Sequence, residues 1–221
     1  MITAFIPLRS GSKSIKDKNI KPFNGKPLCY WVLKTCQESN LIDKVVVAID
    51  CNDYKNIISS FSFNKIEFFI RQSVNSQDTS TTESVILEYL NNNKISGEST
   101  FILVQATSPH LKSKEMDDMI SKSHSNKCDI VSCVRIKRFT WSEDGIPLNY
   151  DILNRPRRQN FNGILIENGA VYISRVDKIL NSNCRLSGNI KPYEMNKKSF
   201  VEIDEPDDFF ISEFLMKQNH L

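Results

Sequence analysis

The chain runs through ITAFIP at residues 2–7 directly into LRSGSKSIKDKN at residues 8–19. The first string is an apolar run that predicts a strand. The second predicts a loop of small hydroxyl residues, one glycine and repeated bases. Small residues let backbone N–H groups approach phosphate oxygens, while Arg9, Lys13 and Lys18 supply positive charge. The loop therefore predicts a polyphosphate site, although it matches neither G-x-x-x-x-G-K-[ST] nor G-x-G-x-x-G. The alternative is a solvated basic loop after an edge strand.

Apolar runs and amphipathic stretches alternate through the first 135 residues. Continuous apolar runs are typical of strands that are buried on both faces, and the stretches between them have helical spacing. This βαβα order predicts an α/β fold with a mainly parallel sheet. After residues 2–7, strands are predicted at residues 44–49, 66–70, 101–104, 129–134, 170–173 and 200–204, and a last helix opens at Pro206.

Polar side chains follow three of the predicted strands at their carboxyl ends. Arg9, Arg71 and Gln105 come directly after buried or partly apolar runs. In open α/β sheets, ligands collect outside the carboxyl ends of the strands. We therefore expect these three side chains to line one crevice.

Composition excludes several classes of function. The net charge of +3 is too small to indicate nucleic-acid binding, and no apolar run approaches the ~20 residues that a membrane span needs. Residues 1–8 lack the features of a signal peptide. The six cysteines form no C-x-x-C pair, so reduced thiols and no zinc site are expected. These observations predict a cytoplasmic protein without nucleic-acid or membrane partners.

Two carboxylates near the end of the chain are candidate metal ligands. Glu202 and Asp204 are separated by one residue on a predicted strand, so their side chains share a face. Paired carboxylates suit Mg²⁺, which leaves its other positions to water and substrate phosphates. The alternative is that both are ordinary acids at a strand end, with Asp204 capping the last helix.

Other polar segments each allow a functional and a structural interpretation. Gln105 opens QATSP, in which Ser108 and Pro109 could instead start a helix. Residues 78–80 follow Arg71 and could bind a nucleoside, cap the next helix, or do both.

Two further segments follow later in the chain. Arg158 belongs to a basic cluster that could clamp a carboxylate or remain solvated. Asn168 and Tyr172 could contact a substrate, or mark a turn that opens a core strand.

Residues 136–167 interrupt the alternating pattern. They hold many charges and few apolar runs, so they cannot easily close a core of their own. This segment is predicted to be either a mobile lid or an arm that packs on another subunit. The whole chain is predicted to form one domain over residues 1–221, with residues 136–167 as an insertion in it.

In chain order, these segments resemble the acylneuraminate cytidylyltransferases, the CMP-sialic acid synthetases. The resemblance covers nearly the whole chain. The segments RPRRQ and ENGAVY, at their mutual spacing, point towards sialic-acid-type substrates. The matching pieces are IPLRSGSK at residues 6–13 with KN at 18–19, GKPL at 25–28, QATSP at 105–109, RPRRQ at 155–159, ENGAVY at 167–172 and EID at 202–204.

The resemblance implies a Rossmann-like three-layer nucleotidyltransferase fold with a small dimerisation excursion. It also implies a homodimer that joins CTP to N-acetylneuraminic acid or a related nonulosonic acid, with Mg²⁺ or Mn²⁺ as the cofactor. The sugar's anomeric hydroxyl attacks the α-phosphate, and pyrophosphate leaves.

The same resemblance implies roles for individual residues. Arg9, Lys18 and Asp204 would be catalytic, and Asp204 and Glu202 would bind the metal. The acid sugar would contact Gln105, Arg158, Asn168 and Tyr172. The nucleotide would contact Leu8, Arg9, Ser12, Lys18, Asn19, Arg71, Asp78, Thr79 and Ser80.

This chain departs from the family pattern in places. Ser14 stands where the family usually has glycine, and Lys16 stands near the family's usual proline. Glu202 replaces an aspartate, which leaves Asp204 as the firmer metal ligand. The alternatives are the same reaction on legionaminic, pseudaminic or 3-deoxy-octulosonic acid, and a non-catalytic nucleotide-sugar binding or regulatory protein.

Overall fold

The computed structural model describes residues 1–77 and 79–218. Nine strands are present in this part of the chain, and seven of them form one sheet. The strands are β1 Ile2–Pro7, β2 Pro22–Phe23, β3 Lys26–Pro27, β4 Lys44–Ile49, β5 Ile66–Ile70, β6 Thr100–Val104, β7 Asp129–Ile136, β8 Ile164–Arg175 and β9 Ile190–Glu194.

The seven-stranded sheet has the order β5-β4-β1-β6-β8-β7-β9. Strand β1 is the third strand in this order and pairs in parallel with its neighbours β4 and β6. The pairs β4–β5 and β7–β9 are also parallel, whereas β8 is antiparallel to both of its neighbours. The predicted mainly parallel sheet is therefore confirmed.

Helices cover both faces of this sheet, as the three-layer prediction requires. Side chains alternate along β1, so that Ala4 and Ile6 join one hydrophobic cluster and Phe5 joins the other. Helices α1, α2 and α4 pack in the first cluster, and α3 and α5 in the second. The helices are α1 Leu28–Glu38, α2 Asn52–Ser59, α3 Thr82–Asn92, α4 Ser113–Asn126, α5 Val176–Ser182 and α6 Pro206–Lys217.

The strand predicted at residues 200–204 is wrong. Residues 197–200 form a 3-10 turn, and residues 201–204 form no ladder with another strand. Side chains take up the backbone groups there instead. Lys18 Nζ donates to the Ile203 carbonyl at 2.7 Å, and Ser14 Oγ donates to the Asp204 carbonyl. The last helix opens at Pro206 as predicted, with Glu205 rather than Asp204 as its N-cap.

Two local predictions also change. The helix after β6 does not start at Ser108, whose N–H donates to the Gln105 carbonyl in a turn. It starts at Ser113, and the Lys112 N–H just before it donates to Glu115 Oε2 at 3.3 Å. Asn168 does not open a strand but lies inside β8, next to Gly169 with a φ of +66°. A register shift against β7 accompanies this irregularity.

Residues 137–163, which we call the arm, connect β7 to β8. An isolated bridge pairs Trp141 with Pro147. The ring of Phe139 packs against the rings of Tyr150 and Phe161, with centroid-to-centroid distances of 4.5 and 4.7 Å. A small aromatic cluster therefore organises the arm, although much of its apolar surface is exposed. Across residues 1–77 and 79–218, no helix is both long and apolar enough to traverse a bilayer.

Candidate functional site

The loop after β1 is fixed to the end of β4. The Leu8 N–H donates to the Ala48 carbonyl at 2.8 Å. The Ser10 N–H lies 3.0 Å from each carboxylate oxygen of Asp50, and Ser10 Oγ donates to the same group at 3.1 Å. Asp50 therefore holds the loop backbone through two donors of one residue. Leu8 itself is fully buried, so its contribution to the site is its backbone and not its side chain.

Asn19 supports the same loop from its other end. Its side-chain N–H donates to the Arg9 carbonyl at 3.0 Å, and the residue is buried. Among the described residues of the loop, only Gly11 and Asp17 have positive φ, so Ser14 carries no left-handed strain. The serine that departs from the family pattern is therefore accommodated by ordinary backbone. The loop encloses a cavity of about 290 Å³ lined by Arg9, Ser12, Lys13, Ser14 and Lys18.

Lys18 joins this loop to the carboxylate segment. Its Nζ lies 3.1 Å from Asp204 Oδ1 in addition to its contact with the Ile203 carbonyl. The cationic loop and the predicted metal ligand are therefore neighbours, although 186 positions separate them in the chain.

Glu202 lies in an acidic environment. Partial burial of its carboxyl group and the charge of Asp204 raise its pKa above the usual value, and Glu167 and Asp208 add to this effect. A Cβ at position 169 would collide with the Glu202 carboxylate, so Gly169 permits this close approach. A divalent cation would relieve this repulsion, and its preferred hard oxygen donors are present.

The carboxylates fit a metal that is shared with a substrate. Among the described residues, no group of three or more His, Cys, Asp or Glu side chains is arranged to hold an ion. Mg²⁺ in nucleotide sites commonly takes one or two carboxylates and completes its shell with water and phosphate oxygens. Glu202 and Asp204 match that smaller donor set.

A second cavity, of about 240 Å³, adjoins the loop. It brings together Arg9, Arg71 and Gln105, as the strand-end argument predicts. The cavity extends to the N-terminal end of α3, where Thr81 accepts a hydrogen bond from the Ser84 N–H at 3.1 Å. Its lining is Pro7, Arg9, Arg71, Gln77, Ser80, Thr81, Thr82, Val85 and Gln105.

Arg71 is a buried cation in this cavity. Its Nε donates to the Ala48 carbonyl at 3.1 Å, which fixes the guanidinium. Burial, together with the positive charge of Arg9, lowers the pKa of Arg71, and Asp50 partly offsets this. A bound anion would stabilise two neighbouring arginines that otherwise repel each other.

The remaining nucleotide-side candidates differ in position. Ser80 lines the cavity and its Oγ donates to the Val74 carbonyl at 2.8 Å. Thr79 is exposed and is not among the residues that line the cavity. Asp78 lies outside the described residues.

Asn168 and Tyr172 lie on β8. The Tyr172 hydroxyl donates to Glu167 Oε1, and burial together with that carboxylate raises the tyrosine pKa. The Asn168 side-chain N–H donates to the Ser199 carbonyl at 3.0 Å, and the residue is buried. Tyr172 thus borders the carboxylates, whereas the amide of Asn168 holds the 3-10 turn before them.

Arg158 lies in a different cavity from the loop cations. It is an exposed residue of the arm. It lines a separate basic cavity of about 570 Å³ together with Arg135, Lys137, Arg138 and Lys197. The arm cation and the loop cations therefore line different cavities.

Two site residues were missed at the level of sequence. Asp50 directly follows a predicted strand, so the strand-end rule that selected Arg9 and Arg71 could have selected it. Glu167 precedes Asn168 in the ENGAVY segment, but its pairing with Tyr172 depends on the irregularity of β8 and gives no sequence signal.

Comparisons with known proteins place these features in a family. The family model described as "Cytidylyltransferase" matches residues 3–213. N-acylneuraminate cytidylyltransferase of Oncorhynchus mykiss is 34% identical over 226 residues, covering 96% of this chain and 49% of that protein. N-acylneuraminate cytidylyltransferase B of Danio rerio is 32% identical over 219 residues, covering 95% and 50%. The chain thus spans about half the length of these curated relatives.

A solved structure shows the same fold. CMP:2-keto-3-deoxy-manno-octonic acid synthetase complexed with CTP superposes with a TM-score of 0.71, covering 99% of both chains at 16% identity. At this identity, the likeness supports the α/β architecture alone.

Proposed function

This chain belongs to the cytidylyltransferase family, and from that premise we propose that it joins CTP to N-acetylneuraminic acid or a closely related nonulosonic acid. The products are the CMP-sugar and pyrophosphate. The observation that carries the proposal is the convergence of Arg9, Arg71 and Gln105 in one cavity, next to the basic cavity of the loop. The relatives named above supply the sugar class.

The loop cations suit the triphosphate. Arg9 and Lys18 line the cavity of the 8–19 loop together with Ser12. They can therefore neutralise charge on the phosphorus oxygens and on the leaving pyrophosphate. Because Asp50 and Asn19 hold the loop backbone before any ligand binds, little reorganisation is needed when charge develops.

The second cavity suits the nucleoside. Arg71 and Ser80 line it beside the first turn of α3, whose free N–H groups can donate to a base or ribose. We assign Thr79 and Asp78 to the same role from the family resemblance. Gln105 lines this cavity, and its N–H donates to the Ala170 carbonyl of β8 at 3.0 Å, so we place the acid sugar on this side, against Tyr172.

In the reaction, the anomeric hydroxyl of the sugar loses its proton to solvent water, and its oxygen forms a bond to the α-phosphorus. The bond from that phosphorus to the β-phosphate oxygen breaks, and the electron pair leaves with pyrophosphate. A Mg²⁺ or Mn²⁺ ion held by Asp204 and Glu202 would neutralise phosphate charge when bound. Lys18 keeps Asp204 beside the loop, so the carboxylate and the triphosphate site stay adjacent.

We further propose that residues 1–221 act as one domain and work as a homodimer through the arm. Arg158 would then bind the sugar carboxylate in the neighbouring subunit, because its own subunit directs it to a different cavity. The exposed apolar side chains of the arm support this role. All six cysteines are free, which agrees with a reducing, cytoplasmic location.

A pyrophosphate-release assay with CTP, Mg²⁺ and a panel of sugar acids tests the proposal. The panel contains N-acetylneuraminic, legionaminic, pseudaminic and 3-deoxy-octulosonic acids, and mass spectrometry identifies the CMP-sugar. Release with the first acid is the expected result. Release with another acid alone would reassign the sugar, and CTP binding without release by any acid would favour a regulatory protein. For substitutions of the loop cations such as Arg9→Ala, Lys94→Ala is the matched control, because Lys94 is exposed and lies beyond the C-terminal end of α3.

A further inference from the structure

Arg185 lies in the connection between α5 and β9 and contacts both α3 and β8. Its guanidinium donates to both carboxylate oxygens of Glu83, through Nε at 2.5 Å and through a terminal nitrogen at 2.8 Å. Glu83 belongs to the first turn of α3 and lies between Thr82 and Val85, which both line the nucleoside cavity. This two-point contact fixes the guanidinium plane relative to α3.

The same guanidinium covers the ring of Tyr172. Its central carbon lies 4.9 Å from the ring centroid, within the range of a cation–π contact. The other end of Tyr172 is fixed as well, because its hydroxyl donates to Glu167. Tyr172 therefore has one contact that leads to α3 and one that leads to the carboxylates.

Burial makes these contacts more than surface pairs. Side-chain exposure is 22% for Arg185 and 28% for Glu83, and Tyr172 is 6% exposed. The hydrogen bond from Arg185 is the main reason that the pKa of Glu83 is lowered. Tyr172 also packs in the hydrophobic cluster that contains Val85, a lining residue of the nucleoside cavity. The chain of contacts from cavity to tyrosine is thus continuous.

We propose that Arg185 is a positioning residue, which holds Tyr172 at the sugar side in a fixed relation to the nucleotide end of α3. This inference rests on the proposed function for the meaning of the two sides, but the contacts exist without it. A nucleotide that contacts the first turn of α3 displaces Glu83, and Arg185 passes that change to the tyrosine ring. Sugar binding then becomes sensitive to whether CTP is present.

The test has a spectroscopic and a kinetic part. The protein is labelled with 3-fluorotyrosine, and the Tyr172→Phe variant assigns the resonance of residue 172 in the ¹⁹F spectrum. The variants are Arg185→Gln, which removes both contacts, and Arg185→Lys, which keeps the charge but not the two-point geometry. Arg175→Gln is the matched control, because Arg175 is exposed and pairs with Asp177 in α5.

In the wild-type protein, CTP should shift the Tyr172 resonance, and in Arg185→Gln this shift should disappear while CTP still binds. Arg185→Gln should lower kcat/KM for the sugar by about 10-fold, in line with a displaced substrate contact. For Arg185→Lys, the CTP-induced shift and the kcat/KM for the sugar should lie between those of the wild type and of Arg185→Gln. For Arg175→Gln, both should match the wild type.

Either of two results would overturn the inference: a wild-type Tyr172 resonance that ignores CTP, or an Arg185→Gln variant that keeps the shift and the sugar kinetics. If Arg185→Gln fails to fold, Arg185→Lys carries the same comparison. Failure of the proposed function looks different, since the wild-type protein would then release no pyrophosphate with any acid. The CTP-dependent shift would still decide whether Arg185 connects α3 to Tyr172.

Discussion

The loop at residues 8–19 and the arm at residues 137–163 are both polar connections that follow a strand, but they are held differently. The loop is tied to distant parts of its own subunit, to Asp50 at the end of β4 and to Asp204 before α6. The arm is organised mainly by its own residues, such as the contact of Asn149 with the Thr140 N–H at 3.0 Å. Leu148 and Leu153 in the arm are 64% and 88% exposed.

This difference separates two kinds of cation. Arg9 is placed by a scaffold that is complete in one subunit, so its contribution requires no partner. Arg158 is carried by a segment whose apolar side chains lie open to solvent, so its placement over a substrate depends on what covers that segment. The comparison makes distinct predictions for the two arginines.

The largest effect is expected for Arg9→Ala. Loss of a preorganised cation next to the phosphates should lower kcat by about 10²–10³-fold, because the charge that develops is then poorly stabilised. The melting temperature should change little, since Arg9 lies in a cavity lining and not in either hydrophobic cluster. Steady-state kinetics and a thermal melt of the variant and of Lys94→Ala provide the measurement. Near-normal turnover would contradict the assignment of the loop.

Arg158→Ala should lower kcat/KM for the sugar by about 10–100-fold, through loss of a charge-assisted contact with its carboxylate. The sharper measurement mixes subunits of Arg158→Ala with subunits of Arg9→Ala. In a symmetric dimer with shared sites, random exchange should restore about a quarter of wild-type activity, since half of the dimers hold one intact site. If both arginines serve the same subunit, mixing restores nothing.

Asp50→Ala tests whether the loop is held as the structure indicates. Without the acceptor for the Ser10 N–H and Oγ, the loop should sample other conformations, and the Kd for CTP should rise by about 10-fold. Asp50→Asn keeps one oxygen acceptor and should show a smaller rise. CTP titration by calorimetry measures both variants. Equal affinities for wild type and Asp50→Ala would mean that the loop needs no such support.

The smallest expected effect is on the stability of the fold at acidic pH. His110 is buried and contacts Ser212 of α6 at 3.0 Å, and burial with the nearby Lys198 lowers its pKa to about 4. Its neutral form is therefore the stable one, and its contribution is full above the unfolded pKa near 6.5 and lost as pH falls through about 4. Urea midpoints at pH 7 and pH 4.5 should differ more for the wild type than for His110→Asn. If the two urea midpoints differ equally in the wild type and in His110→Asn, protonation of His110 does not contribute to the loss of stability at acidic pH.

Much of the fold was predictable because its signals are local. The run at residues 44–49 is apolar at nearly every position, which only a strand covered on both faces requires, and β4 occupies that span. The failure at residues 200–204 has the opposite origin. Its alternating pattern resembles a strand, but side chains from the loop take up its carbonyls, and no local pattern reveals that competition.

The candidate site divides in the same way. The sequence alone identified Arg9, Arg71 and Gln105, because residues that follow parallel strands must emerge at one edge of the sheet. It could not identify the pairing of Glu167 with Tyr172, which depends on where β8 departs from regular pairing. Nor could it show that Arg158 faces a different cavity from Arg9 in the same subunit.

The sequence by itself determined the order of the main strands and helices through residue 135, the basic composition of the loop and the two carboxylates near the end of the chain. These follow from residue type and short-range spacing. Only the tertiary structure decided that Asp50 holds the loop, that Ser14 needs no left-handed backbone, and that Arg185 contacts both α3 and Tyr172. The physical reason is range: the contact of Ser14 with Asp204 joins positions that are 190 residues apart, and such contacts form only when the whole sheet has been assembled.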